Sequence, residues 1–114
     1  MIRTKRVYEP PAPEDGARVL VDRIWPRGLA GDDARIDWWA KELAPSDKLR
    51  RWFGYAPPRY REFVGRYRAE LAGNAALARL LELAAAGTVT LLYAALDERH
   101  NGARALLEIL DHQG

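Results

Sequence analysis

The amino-acid sequence predicts an α/β fold: a small, mostly parallel sheet of about three strands flanked by about five helices in a three-layer arrangement. Three observations carry this expectation. Thr88 to Ala94 is near-continuously apolar, as a central strand covered on both faces must be. The triplet Val19-Leu20-Val21 has the β-branched content of a second short, buried strand. The intervening and following stretches place apolar residues three and four apart, the spacing of one helical face.

Taken in order, Ile2 to Tyr8 has strand-like content in Ile2, Thr4, Val7 and Tyr8, and the proline-rich Glu9 to Gly16 cannot be helical. Arg18 to Arg23 follows as a strand, ended by Pro26 and Gly28. Asp32 or Asp33 can cap a helix whose stripe is Ile36, Trp39, Ala40 and Leu43, stopped by Pro45. Ser46 can cap a short helix through Leu49, Trp52 and Phe53 that ends at Gly54. Pro57-Pro58 opens a longer helix burying Tyr60, Phe63, Val64, Tyr67 and Leu71, and Ala75 to Ala86 forms another that stops at Gly87. After the strand at Thr88 to Ala94, Asn101 can cap a last helix with Ala103, Leu106, Leu107 and Leu110 turned inward.

A chain of 114 residues suits one domain, 1–114. No apolar run approaches the roughly 20 residues that span a bilayer, and no secretory signal opens the chain, so a cytoplasmic protein is expected. The absence of cysteine excludes disulfides, thiol nucleophiles and zinc–thiolate sites. A formal net charge of +2 makes no case for nucleic acid by itself. Its distribution is uneven: the segment 48–68 sets Lys48, Arg50, Arg51, Arg59, Arg61, Arg66 and Arg68 against Glu62 alone, with six aromatic rings interleaved. That pattern suits a single-stranded nucleic acid, yet helical spacing sends Tyr60, Phe63 and Tyr67 inward and leaves the arginines as a solvated face.

The abrupt change from core to charge at Val21-Asp22 points to a site, because ligands of open α/β sheets bind in loops at the carboxyl ends of strands. Arg23 and Arg27, with Lys5 or Arg6, would bring cations to that edge, and arginine forks match phosphate or carboxylate oxygens. The expected ligand is therefore a small anion, a phosphorylated or carboxylated metabolite, assisted by the amino-terminal dipole of the helix that Asn101 begins, with a nucleic-acid-binding or protein-interaction module as the alternatives. Internal ion pairing of the same arginines remains the structural alternative. Asp22 and Asp97 could act as acid and base or hold Mg²⁺ through oxygen, or could simply pair with arginines. Trp25 and Trp38 could floor a pocket or pack the loop, and His100 is a candidate proton-transfer group or a capping residue. His112 is read as incidental. There is no glycine-rich phosphate loop and no nucleophile placed for a triad.

Lys5-Arg6-Val7-Tyr8, Asp15-Gly16, the string Val21-Asp22-Arg23-Ile24-Trp25-Pro26-Arg27-Gly28, Trp39-Ala40-Lys41, and Thr90 to Ala94 with Asp97, His100 and Asn101 together resemble the YeaO-like proteins. These are small bacterial proteins within a wider domain family of unknown function. The resemblance implies an α/β fold and a bacterial cytosolic setting, and it implies no activity. Longer members of the wider family look similar at the strand ending in Val-Asp and at a late loop bearing cysteines. Here those cysteine positions fall at Tyr93 or a neighbour and beside His100, so thiol chemistry does not carry over. The short first connector leaves the direction of the first strand open.

Overall fold

A computed structural model describes residues 1–111. Its centre is β4, Val89–Tyr93, every residue of which is buried. β4 lies between β1, Ile2–Arg6, and β2, Ala17–Leu20, and a short β3, Trp38–Trp39, extends the sheet beyond β2 in the order β1-β4-β2-β3. All pairings are parallel, with Ile2 opposite Val89, Ala17 opposite Val89 and Val19 opposite Trp38, which settles the direction of the first strand. A parallel sheet sends all its strands out at one edge, so Val7, Val21, Ala40 and Ala94 emerge together.

Side chains alternate across the strands and divide the core in two. Val19, Val21, Val89, Leu91 and Tyr93 join one large cluster with α2 (Asp47–Phe53), α3 (Tyr60–Leu71), α4 (Ala75–Ala86) and α5 (Gly102–Asp111). On the opposite face Val7, Leu20 and Leu92 pack with Trp25, Leu29, Ile36 and Trp39, a layer made by the segment around the one-turn helix α1 (Gly31–Ala34). The caps follow the expected chemistry: Ser46 Oγ accepts from the Leu49 N–H, Gly54 closes α2 in the left-handed region, and Asn74 caps α4.

One expectation is corrected. The stripe Ile36, Trp39, Ala40 and Leu43 belongs to no single helix: α1 ends at Arg35, whose φ is 47°, β3 follows, and a 3₁₀ turn spans Lys41–Leu43. Pairing to β2 outweighs helical periodicity here. The Asp37 N–H donates to the Arg18 carbonyl at 2.8 Å, the Ala40 N–H donates to the Leu20 carbonyl at 2.8 Å, and the Asp37 carboxylate accepts from the Arg18 N–H. The sheet thereby has a fourth strand.

Beneath β1 and β2 lies a buried ionic cluster. Asp15 is 1% exposed, and its carboxylate accepts from Lys5 Nζ at 3.0 Å, from the Ala12 N–H at 3.0 Å and from the Arg18 guanidinium. Burial pushes the Asp15 carboxyl up, but those three donors outweigh it and hold it below the ordinary carboxylate value. Arg18 also donates to the Ala34 carbonyl at 3.0 Å, tying α1 to the sheet.

Candidate functional site

The carboxyl edge of the sheet opens into a cleft of about 310 Å³. Asp22 stands at its base, just beyond the end of β2, and ties three strand exits together. Its Oδ2 accepts from the Ala94 N–H at 2.9 Å, its carbonyl accepts from the Trp39 indole N–H at 2.8 Å, and the Val21 N–H before it donates to the Leu92 carbonyl. Burial pushes the Asp22 carboxyl up to about 6, against the lowering pull of the Ala94 N–H and the Arg50 guanidinium. A carboxyl poised there exchanges its proton close to physiological pH.

The loop after Asp22 is shaped by its own side chains. Trp25 donates from its indole to the Leu29 carbonyl at 2.9 Å and meets Trp39 edge-on, with centroids 5.2 Å apart. Gly28 takes a φ of 73°, which lets the chain turn back from Pro26 to Leu29, and Tyr8 Oη fastens the turn by donating to the Arg27 carbonyl at 2.8 Å. Arg23 reaches across to the segment before α2, donating to the carbonyls of Pro45 at 3.1 Å and Ala44 at 3.3 Å. Arg27 is exposed at the rim.

The facing wall comes from α2 and the turn after it. Arg50 lines this wall with one Nη 3.4 Å from Asp47 and its Nε buried without a hydrogen-bond partner among the described residues, and its charge acts to lower the Asp22 and Tyr55 pKa values. Phe53 lines the cleft and stacks on Phe63 at 4.2 Å. Tyr55 adopts a φ of 56°, a strained conformation for a bulky residue, and burial followed by the Asp22 charge raises its hydroxyl pKa. Gly102, the first residue of α5, closes the far side.

Asp22, Arg23, Trp25 and Arg27 therefore share one cleft, and the other sequence candidates stand outside its lining. Asp97 and His100 form a local turn ahead of α5: Asp97 accepts from the backbone N–H groups of Arg99 and His100, and its second oxygen lies 2.9 Å from His100 Nδ1. The His100 contact, followed by these amide donors, lowers the Asp97 pKa. The His100 ring meets Tyr60 edge-on at 5.1 Å, and Tyr60 bonds Glu108. Asn101 is buried as the cap of α5, donating to the Asp97 carbonyl and accepting from the Arg104 N–H. Lys5 is committed to Asp15 and to the Pro10 carbonyl, and Arg6 donates to the carbonyls of Ala94 and Ala95 as β4 leaves the sheet. Trp38 packs against the larger core with Arg79 over its ring at 4.1 Å. His112 lies outside the described residues. Among the described residues no group of three or more metal-ligating side chains comes together.

Residues 1–113 match the model of a family described as the inactive DUF488-N3 subclade. The chain belongs to the DUF488-N3i family. Its relatives include an uncharacterized protein of Mycobacterium tuberculosis and one of Mycobacterium bovis, each 44% identical over 110 residues that cover 96% of this chain and 93% of theirs. The uncharacterized protein YeaO of Escherichia coli is 42% identical over 110 residues, 96% of each chain. The chain is thus YeaO-like. No solved structure matches it.

Within this DUF488-N3i chain, Tyr8, Arg50, Phe53, Tyr55 and Phe63 are lining residues that sequence reasoning did not assign to the cleft. A signal existed for two of them. Arg50 and Tyr55 flank the Gly54 stop of a helix that begins soon after a chain segment leaves the sheet at the carboxyl edge. The assembled cleft can offer arginine donors, one carboxyl with a near-neutral pKa and a floor of aromatic carbon.

Proposed function

We propose that the cleft at the carboxyl edge of the sheet binds a small anion, a carboxylated or phosphorylated metabolite. The observation that carries this reading is its charge: Arg23, Arg27 and Arg50 line it against the single lining carboxyl of Asp22, with Asp47 beside Arg23 and Arg50. Arginine forks suit carboxylate and phosphate oxygens. The family's description as inactive, the lack of cysteine and the position of His100 outside the lining favour binding over turnover.

A second reading is supported by the Asp22 pKa of about 6, which suits a general acid or base, with Arg23 and Arg27 stabilising developing charge. The basic face of α3 draws less support as a nucleic-acid surface. Tyr60, Phe63 and Tyr67 are buried, and the half-buried Trp52 lies beneath the guanidinium groups of Arg59 and Arg66.

The test is a thermal-shift screen against inorganic phosphate, sugar phosphates, nucleotides and small carboxylates, each with and without Mg²⁺. A ligand selective for the folded state raises Tm, by the equivalent of about 2.7 kcal/mol at a hundredfold excess over Kd. The expected result is a stabilising anion whose effect is lost in Arg27→Ala and weakened in Arg23→Ala. A flat screen on a folded sample refutes the reading. Turnover of a binding anion that disappears in Asp22→Asn, with binding retained, would favour the enzymatic alternative.

A further inference from the structure

We infer that the anion this cleft takes carries a flat apolar body, and that its class is a single-ring aryl carboxylate or aryl phosphate. The inference rests on the anion-binding reading above and narrows it. A site for a bare anion needs only donors, and exposed carbon around it is a liability in water. This cleft gathers such carbon. Tyr8, Ile24 and Tyr55 are 41%, 60% and 47% exposed, placing three of the described residues' exposed large apolar side chains at one mouth. Behind them the stacked rings of Phe53 and Phe63, themselves almost wholly buried, back the cleft.

Tyr55 is also held with a positive φ immediately after Gly54, which has one too. Backbone strain of this kind persists where the surroundings fix it, and it clusters at binding sites. Here it stands a ring at the mouth of the cleft. Size sets the limit on the ligand: about 310 Å³ lies at the lower end of the roughly 300–1,000 Å³ of small-molecule sites, enough for one ring and a short charged arm and too little for a dinucleotide. The charged arm has a donor waiting. Arg50 lines the cleft with its side chain 37% exposed, and a guanidinium so placed can donate to a ligand oxygen.

The experiment is calorimetric titration of the whole protein with matched probes. These are benzoate against acetate, phenyl phosphate against inorganic phosphate, and benzyl alcohol as the ring without charge. Benzoate or phenyl phosphate should bind at least about tenfold tighter than its ringless counterpart, and whichever binds identifies the charged group. Arg50→Gln should weaken that binding about tenfold or more, and so should Tyr55→Gly, which removes the ring while relieving the backbone. Acetate or phosphate binding as tightly as its aryl partner overturns the aryl assignment and leaves the anion cleft standing. Benzyl alcohol binding as tightly as benzoate overturns both, as does the absence of binding by any probe to folded protein.

Discussion

Asp22→Asn should stabilise this protein at neutral pH. The carboxyl of Asp22 moves from the ordinary 3.8 to about 6 on folding, chiefly through burial. Between those values the folded chain holds a proton that the unfolded chain has released. The stabilisation from that proton is therefore full below about pH 4 and is lost as the pH rises through about 6. Above that range the fold carries a carboxylate that its surroundings disfavour. A change of about two in pKa corresponds to about 3 kcal/mol, and the cleft's openness to water reduces this to roughly 1–2 kcal/mol. Asparagine keeps the oxygen that accepts from the Ala94 N–H and cannot ionise. The assay is Tm measured from pH 4 to pH 8 for both proteins, where the variant should melt roughly 4–8 °C higher at pH 8 and the gap should close toward pH 4. A variant that melts lower at pH 8, or a gap independent of pH, would refute the reasoning.

The buried cluster around Asp15 makes the opposite prediction. Asp15→Ala leaves Arg18 and Lys5 without their anion and should cost about 3–5 kcal/mol by urea denaturation, part of it recovered when Arg18→Met is added. Because the Asp15 pKa is lowered on folding, its contribution is present above the ordinary carboxylate value and lost as the pH falls through the lowered one. Gly16→Ala should cost more than about 2 kcal/mol in the same assay, since Gly16 has a φ of 63° and an added Cβ would lie 2.1 Å from the Thr88 carbonyl oxygen. A loss below about half of that would show that the Thr88 backbone yields.

Where sequence reasoning succeeded, one local signal decided the outcome. The run ending at Tyr93 can be buried on both faces only as an inner strand, and Ser46, Gly54 and Asn101 mark helix boundaries by chemistry confined to a turn. The stretch 31–43 failed because the spacing of Ile36, Trp39, Ala40 and Leu43 also suits a bend, a two-residue strand and a 3₁₀ turn. Only the free edge of β2 decides between them. At the cleft, Asp22, Arg23, Trp25 and Arg27 were legible because they are contiguous. Arg50, Phe53 and Tyr55 were less so: Gly54 marks the helix end beside them, but the docking of α2 and the turn after it onto the cleft is set by tertiary packing. Asp97 and His100 looked like partners of Asp22 on the assumption that a strand's exit loop faces the same way as its neighbour's. Asp97 instead bonds forward into its own turn.

The place of β4 also bears on how the chain acquires its structure. β1 has no neighbour in the sheet except β4, and β2 has only the two residues of β3 on its other side. During synthesis the first two strands therefore wait, one unpaired and the other nearly so, until the segment around Val89 has been made. Closure must then bring Met1 to Val89, Gly16 to Thr88 and the cleft's walls together in one late event dominated by contacts distant in sequence. A nascent chain stalled before Thr88 would expose the unpaired backbone edges of two strands with nothing to complete them, making it a natural client for chaperones and a source of misassembly.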